Sequence, residues 1–199
     1  MTKEEKATIR GVAIGDSCIE KQKNYYRIHI RHSAKQYEYI KFKANYLSKA
    51  CNKEIKITEF DNNGYPGVRM TVSNGYFKFV YSWLYKSNKK LTLKYLRKVN
   101  NFGVAFWYMD DGSLYAKKRN GKIHSYELVI STCCTESEAK DCIFFFKERF
   151  DVNFTLKLNK GKYSLRCGTK EAKKFLSFLE PYIPDCMKYK TFRHGTPKS

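Results

Sequence analysis

The chain has 199 residues, 42% hydrophobic and 16% aromatic, enough to build a packed core. Its 39 Lys and Arg against 19 Asp and Glu leave a formal net charge of +20, a self-repulsion that a polyanion relieves, so nucleic acid is the leading partner. No apolar run reaches the roughly 20 residues of a bilayer span, and Met1-Thr2-Lys3-Glu4-Glu5-Lys6 lacks the apolar core of a signal peptide. The expectation is a protein that is not secreted, in a cytosol-like compartment with access to DNA, either a bacterial or phage-infected cytoplasm or an organelle matrix.

In chain order, a helix is expected from about Lys3 to Asp16, with Ala7, Ile9, Val12 and Ala13 apolar. Tyr25 to Arg31 alternates with period two, which puts Tyr26, Ile28 and Ile30 on one face and Arg27, His29 and Arg31 on the other. A helix from Ala34 to Cys51 follows, its buried side read as Tyr37, Ile40, Phe42, Tyr46 and Leu47. Ile55-Lys56-Ile57-Thr58 and Val68 to Ser73 flank Asp61-Asn62-Asn63-Gly64, strong turn chemistry for a hairpin. Tyr76 to Lys86 closes this unit as a helix.

The lysine-dense stretch from Lys86 to Lys98 reads as a linker with a short helical part. The same order then recurs. A helix over Gly103 to Asp111 precedes alternation from Tyr126 to Ser131, and Thr135-Glu136-Ser137-Glu138 opens a helix to about Phe150. Phe154 to Leu158 and Tyr163 to Cys167 form a second hairpin around Asn159-Lys160-Gly161-Lys162, and a last helix runs from Thr169 through Leu179. The chain therefore reads as an internal duplication: a first repeat over 1–86, a basic linker over 87–99 and a second repeat over 100–199. Its seven cysteines include no pair at C-x-x-C spacing, so buried reduced thiols are expected rather than zinc ligands or disulfides.

Each repeat opens with an apolar helix that ends on an aspartate. Ile9-Arg10-Gly11-Val12-Ala13-Ile14-Gly15-Asp16-Ser17 and Val104-Ala105-Phe106-Trp107-Tyr108-Met109-Asp110-Asp111-Gly112 together resemble the two motifs of a single-chain LAGLIDADG homing endonuclease. Ser17 stands where that motif ends in glycine, and Phe106 and Asp110 occupy positions that are small in it. The resemblance implies an α+β, pseudo-twofold fold of two αββαββα units with saddle-shaped antiparallel sheets. It also implies a monomeric, Mg²⁺- or Mn²⁺-dependent enzyme that cuts both strands of a long, nearly non-palindromic DNA site, leaves short 3′ overhangs, and is encoded by an intron, an intein or a free-standing mobile element.

Gly11 and Gly15, four apart, share a helical face that admits another helix backbone, and the second motif helix is the natural partner. Parallel packing then sets Asp16 and Asp111 side by side. Two such charges repel unless a divalent cation joins them, and carboxylate oxygens with a scissile phosphate suit Mg²⁺. Both are expected as metal ligands and catalytic groups, whereas Asp110 is expected to point away from the shared face and serve structure. Lys90 and Lys190 resemble the family's paired basic residues flanking the active centre, one per repeat. The polar parity of the strands offers Arg27, His29, Arg31, Lys56, Arg69 and Thr71 in the first repeat and Thr155, Lys157, Ser164 and Arg166 in the second as DNA-binding residues, since an antiparallel ribbon fits a major groove. Two other readings are a non-cleaving nucleic-acid-binding protein of the same fold, such as an intron RNA maturase, and a basic ribosome-associated protein. The last explains the charge but not the duplicated motifs.

Overall fold

The structure, a computed structural model, describes residues 1–85, 89–159 and 161–192. Helix α1 (Lys3–Ile14) starts at a reciprocal capping box, in which the Thr2 hydroxyl accepts from the Glu5 N–H and the Glu5 carboxylate accepts from the Thr2 N–H. It delivers the chain into β1 (Ser17–Lys21), followed by β2 (Tyr26–Ser33), α2 (Tyr37–Cys51), β3 (Ile57–Asn62), β4 (Tyr65–Ser73) and α3 (Phe77–Leu84). A short helix α4 (Leu93–Leu96) leads into the second set: α5 (Asn101–Asp111), β5 (Gly112–Arg119), β6 (Lys122–Cys134), α6 (Glu136–Phe150), β7 (Thr155–Asn159), β8 (Lys162–Gly168) and α7 (Thr169–Leu179). Each set makes a four-stranded antiparallel sheet, ordered β1-β2-β4-β3 and β5-β6-β8-β7. This is the αββαββα order twice, the α+β class expected.

The inward parity of each sheet carries the core. Ile28 and Ile30 of β2 are buried with Met70 and Val72 of β4, as are Leu128 and Ile130 of β6 with Leu165 and Cys167 of β8. Type I′ turns close two of the hairpins, with Asn63 and Gly64, and again Asn120 and Gly121, at positive φ. The alternation of Tyr25 to Arg31 and the N-cap at Thr135 stand as read.

Several local expectations are corrected. The alternation located one strand after each motif helix where the resemblance implied two; there are two, because β1 is short and polar and β5 is lysine-rich, so neither shows an apolar alternation. On α2, Tyr37 is exposed and Lys43 is fully buried, the reverse of what polarity predicts. The lysine-dense stretch has its own core contribution, for Leu91, Tyr95, Leu96 and Val99 are all buried. It is clipped to α6, where the Glu138 carboxylate accepts from the Leu91 N–H and that of Asp141 from the Leu93 N–H. Cys18, Cys133 and Cys186 are exposed rather than buried, although all seven thiols are free. Lys86, Ser87, Asn88 and the turn residue Lys160 lie outside the described residues. No helix among the described residues is long and apolar enough to cross a membrane.

Helices α1 and α5 lie side by side and parallel. Thr8 meets Asn100 through Oγ1···Oδ1 at 3.0 Å, Gly11 meets Gly103, and Gly15 meets Asp110, so the contacts advance in the same direction along both helices. A Cβ on Gly11 would fall 2.1 Å from the Gly103 carbonyl oxygen, which means the backbones themselves are in contact. Phe106 therefore does not loosen the pair: the second glycine of the crossing is Gly103, three residues earlier.

Candidate active site

The parallel pair leads into two aspartates, Asp16 and Asp111, each directly ahead of the first strand of its own sheet. Burial first, and then the charge of Asp110, raises both carboxyls; Asp111 is pushed up to about 7. The Asp16 charge also raises Asp111, an electrostatic sign that the two are near each other. The Asp16 side chain is half exposed. Asp111 is more enclosed and accepts a hydrogen bond at Oδ2 from Trp107 Nε1, one helical turn back, at 3.1 Å. A cleft of about 350 Å³ opens beside Asp111, bounded by Gly15, Lys89, Lys90, Thr132 and Cys133.

Asp110 does not point away. Its Oδ2 accepts the N–H of Asp16 at 2.9 Å, reaching across the space left by the missing side chain of Gly15. Its Oδ1 accepts from Lys43 Nζ at 2.5 Å and from the Tyr39 hydroxyl at 2.7 Å. The expectation failed because the carboxylate is drawn inward by a buried cation that the apolar pattern of α2 did not disclose. Lys43 also donates to His32 Nε2 at 3.2 Å, so that nitrogen must be the acceptor and His32 the neutral Nδ1–H tautomer. Burial first and the Lys43 charge second push the imidazole down to about 4, which agrees.

Two lysines converge on the last turns of α1 and α5. Lys190 Nζ donates to the carbonyls of Met109 at 2.6 Å and Asp110 at 3.3 Å. Its counterpart is Lys89, whose Nζ donates to the carbonyl of Gly15 at 2.9 Å. Each ammonium thus sits on the residue preceding an aspartate, and desolvation lowers the pKa of both. Lys90, the expected partner of Lys190, is exposed and anchored through its backbone N–H to Leu84, with its charge felt at Glu138. Adjacent lysines in an irregular segment alternate in direction, and nothing in the sequence says which one turns inward.

The outward sheet faces hold the expected basic side chains. Register sets His29 opposite Thr71 and Arg31 opposite Arg69 on β2 and β4, with Thr155 opposite Arg166 and Lys157 opposite Ser164 on β7 and β8. Arg31, Arg69, Thr71, Lys157 and Arg166 are exposed; Lys56 is exposed one residue ahead of β3. Arg27 is held by Glu20 at 2.7 Å, with His29 on the other carboxylate oxygen at 3.2 Å. Ser164, unlike these, is buried, on β8 opposite the stretch where β6 bulges between Ile130 and Cys134. The sequence reading missed the β5–β6 hairpin, where Lys117, Lys118, Arg119 and Lys122 surround the Asn120-Gly121 turn. That Asn-Gly dipeptide between basic residues was the available clue.

The chemistry of the donor set decides which groups could hold a divalent cation. Ligand atoms of Asp16, His32 and Asp110 lie within 4.8 Å of one another. Asp110 is spent on Lys43, Tyr39 and the Asp16 N–H, and His32 on Lys43, so this group is a scaffold behind Asp16 rather than a cage. Asp16 and Asp111 fit a hard cation better. Both are oxygen donors at which negative charge is disfavoured, which a divalent ion would reverse.

The family of LAGLIDADG DNA endonucleases matches residues 6–175 of the chain. A curated relative from Mycosarcoma maydis, "Probable intron-encoded DNA endonuclease 3", is 26% identical over 126 residues, covering 60% of this chain and 88% of that protein. "Probable intron-encoded endonuclease 1" from Wickerhamomyces canadensis is 29% identical over 96 residues, covering 48% of this chain and 41% of that protein. Among solved structures, the homing endonuclease I-WcaI bound to its DNA recognition sequence is similar with a TM-score of 0.79 at 24% identity, covering 95% of this chain and 86% of that one. I-DmoI in complex with DNA and Mn is similar with a TM-score of 0.55 at 15% identity, covering 89% of this chain and 96% of that one. The duplicated element order, the glycine-mediated helix pair and the match across both motifs lead to one assignment: the chain belongs to the LAGLIDADG DNA endonuclease family.

Proposed function

We propose that the protein is a site-specific endonuclease that hydrolyses both strands of a long, nearly non-palindromic duplex, with Mg²⁺ or Mn²⁺ held by Asp16 and Asp111. The observation that carries this reading is the placing of these two carboxylates at the same end of two helices in backbone contact, near enough for the charge of Asp16 to raise Asp111, each with an ammonium on the preceding carbonyl. The fold match to a homing endonuclease bound to its DNA recognition sequence supports duplex DNA as the partner.

When bound, the divalent ion supplies an activated water and charge stabilisation at the phosphate oxygens. The residues of this chain supply the rest. Asp16 and Asp111, fixed on the ends of two helices in backbone contact, hold the oxygen ligands at one spacing. Lys89 and Lys190 present desolvated ammonium groups, which form stronger hydrogen bonds to a developing oxyanion than solvated ones would. Arg31, Lys56, Arg69, Lys157 and Arg166 bind the phosphates and base edges of the two half-sites, which places the scissile bonds without entering the chemistry.

A randomised duplex library cut by the protein supplies the target, on which Asp16→Asn and Asp111→Asn are then compared with the wild type. Each substitution is expected to abolish double-strand cleavage in Mg²⁺ while leaving specific binding within about threefold. Near wild-type cutting by either variant would remove the two-carboxylate assignment.

A further inference from the structure

The two carboxylates are supported unequally. Asp111 is preceded by Asp110, and Asp16 by Gly15, whose absent Cβ would lie 2.1 Å from Asp110 Oδ2. One half therefore lends its extra carboxylate to the other. Asp110 Oδ2 takes the Asp16 N–H at 2.9 Å, and its Oδ1 is fixed by Lys43 at 2.5 Å and Tyr39 at 2.7 Å. The Lys43 and Asp110 side chains are both fully buried.

Nothing equivalent stands behind Asp111 among the described residues. Helices α2 and α6 are each 15 residues long, and the third and seventh positions that are Tyr39 and Lys43 on α2 are Glu138 and Cys142 on α6. Glu138 turns to the Leu91 N–H, and Cys142 is buried in the core. Among the described residues the Asp111 carboxylate accepts one side-chain hydrogen bond, from Trp107. A buried ion pair is not in itself a source of stability, because an apolar pair of similar volume often serves as well or better. Its value here lies in where its free oxygen points.

We propose that Asp110, clamped by Lys43 and Tyr39, is a positioning residue for Asp16 alone, so that cleavage of one DNA strand depends on this buried clamp and cleavage of the other does not. The proposal rests on the reading of Asp16 as a metal-holding carboxylate, taken to serve one strand as Asp111 serves the other. Fixing the Asp16 N–H fixes the turn from which its carboxylate projects, and a shift of about 1 Å in such a group can cost on the order of a hundredfold in rate.

The test compares two double variants of the full chain. Lys43→Met with Asp110→Leu removes the charges and the acceptor together; Lys43→Met with Asp110→Asn removes the charges and keeps an amide oxygen able to accept from Asp16. Single-turnover cleavage of supercoiled plasmid carrying the target, with each strand end-labelled in parallel, gives the two strand rates, and a filter-binding titration gives affinity. The Leu variant is expected to slow one strand at least about tenfold more than the other, so that nicked circles accumulate at unchanged affinity. The Asn variant is expected to return the strand ratio to within about twofold of wild type. Equal losses on both strands, or an Asn variant no better than the Leu variant, would reduce the clamp to a structural feature and overturn the proposal. If the Leu variant does not fold, Tyr39→Phe, which removes one hydrogen bond to Asp110 at nearly constant volume, decides the matter by the same ratio: skewed supports, unchanged overturns. Asp16→Asn is run beside them. Full activity in that variant would remove the metal assignment itself, whereas an Asp16→Asn that no longer makes double-strand breaks, with an unskewed Leu variant, removes only the clamp.

Discussion

The Cβ that Gly11 lacks would lie 2.1 Å from the carbonyl oxygen of Gly103 and 2.3 Å from its Cα. Backbone cannot yield as a flexible side chain can, so Gly11→Ala must push α1 and α5 apart. Overpacking of this kind costs about 1–3 kcal/mol and more where nothing relaxes. Gly11→Ala is expected to lower unfolding stability by at least about 3 kcal/mol in urea titration, whereas Gly75→Ala, where an added Cβ meets nothing within 4 Å, should cost under about 1 kcal/mol. Similar losses for both would mean that the helices are not in backbone contact.

The four lysines near the helix ends form a matched set. Lys89→Met and Lys190→Met are expected to slow single-turnover cleavage at least about a hundredfold, the range for a group that moves a proton or stabilises charge in the transition state. Lys90→Met and Lys188→Met should change it less than about threefold, since Lys90 is tied through its backbone N–H to Leu84 with its charge felt at Glu138, and Lys188 pairs with Asp185. Binding should stay nearly constant in all four. A large effect at Lys90 with none at Lys89 would restore the sequence-based choice.

Asp111 makes stability depend on pH in an unusual direction. Its carboxyl stands at about 7 in the folded chain against an ordinary 3.8, so between these values the folded state keeps a proton that the unfolded state releases. Stability is full below the unfolded value and is lost as pH rises through 7, by at most about 1.4 kcal/mol per pH unit. His32, pushed down to about 4, acts in the opposite sense up to its unfolded value, so the wild type alone would hide the effect. The difference between Asp111→Asn and wild type isolates it: without divalent ions the variant's advantage should grow from pH 4.5 to about 7 and then level off. Adding Mg²⁺ should raise wild-type Tm at pH 8 and hardly at pH 4.5. A difference that is flat with pH would show that Asp111 titrates normally.

Affinity for the target duplex should fall steeply with salt, log K against log salt having a slope of roughly −0.9 for each phosphate neutralised. Arg31→Ala and Lys157→Ala should each flatten that slope by about 1. Arg27→Ala should flatten it less, because Glu20 already neutralises that guanidinium at 2.7 Å. A salt-independent affinity, or tighter binding to structured intron RNA than to every duplex tested, would argue for the maturase reading.

Most of the fold was legible because its signals are local. The Thr135 cap, the Asn63-Gly64 turn and the alternation of Tyr26, Ile28 and Ile30 each fix an element within a few residues. What stayed hidden needed partners distant in sequence. Lys43 looks like a solvated helix residue until Asp110, 67 positions away, is brought to it, and His32 sits on the inward parity of β2, where its polarity hid it. Lys89 and Lys90 are indistinguishable in composition; only the folded chain shows the ammonium of Lys89 on the Gly15 carbonyl and the backbone N–H of Lys90 on Leu84.

The hole at Gly15 and the carboxylate that fills it belong to different halves of the gene. Any side chain at position 15 would collide with Asp110 Oδ2, and a glycine at position 110 would leave Lys43 buried without its counter-charge. Recombining this N-terminal half with the C-terminal half of a relative, the obvious route to a new hybrid target site, thus carries a compatibility rule: positions 15, 43 and 110 must be inherited as a set. Two halves that each fold well would still make a poor chimera if that set were split between parents.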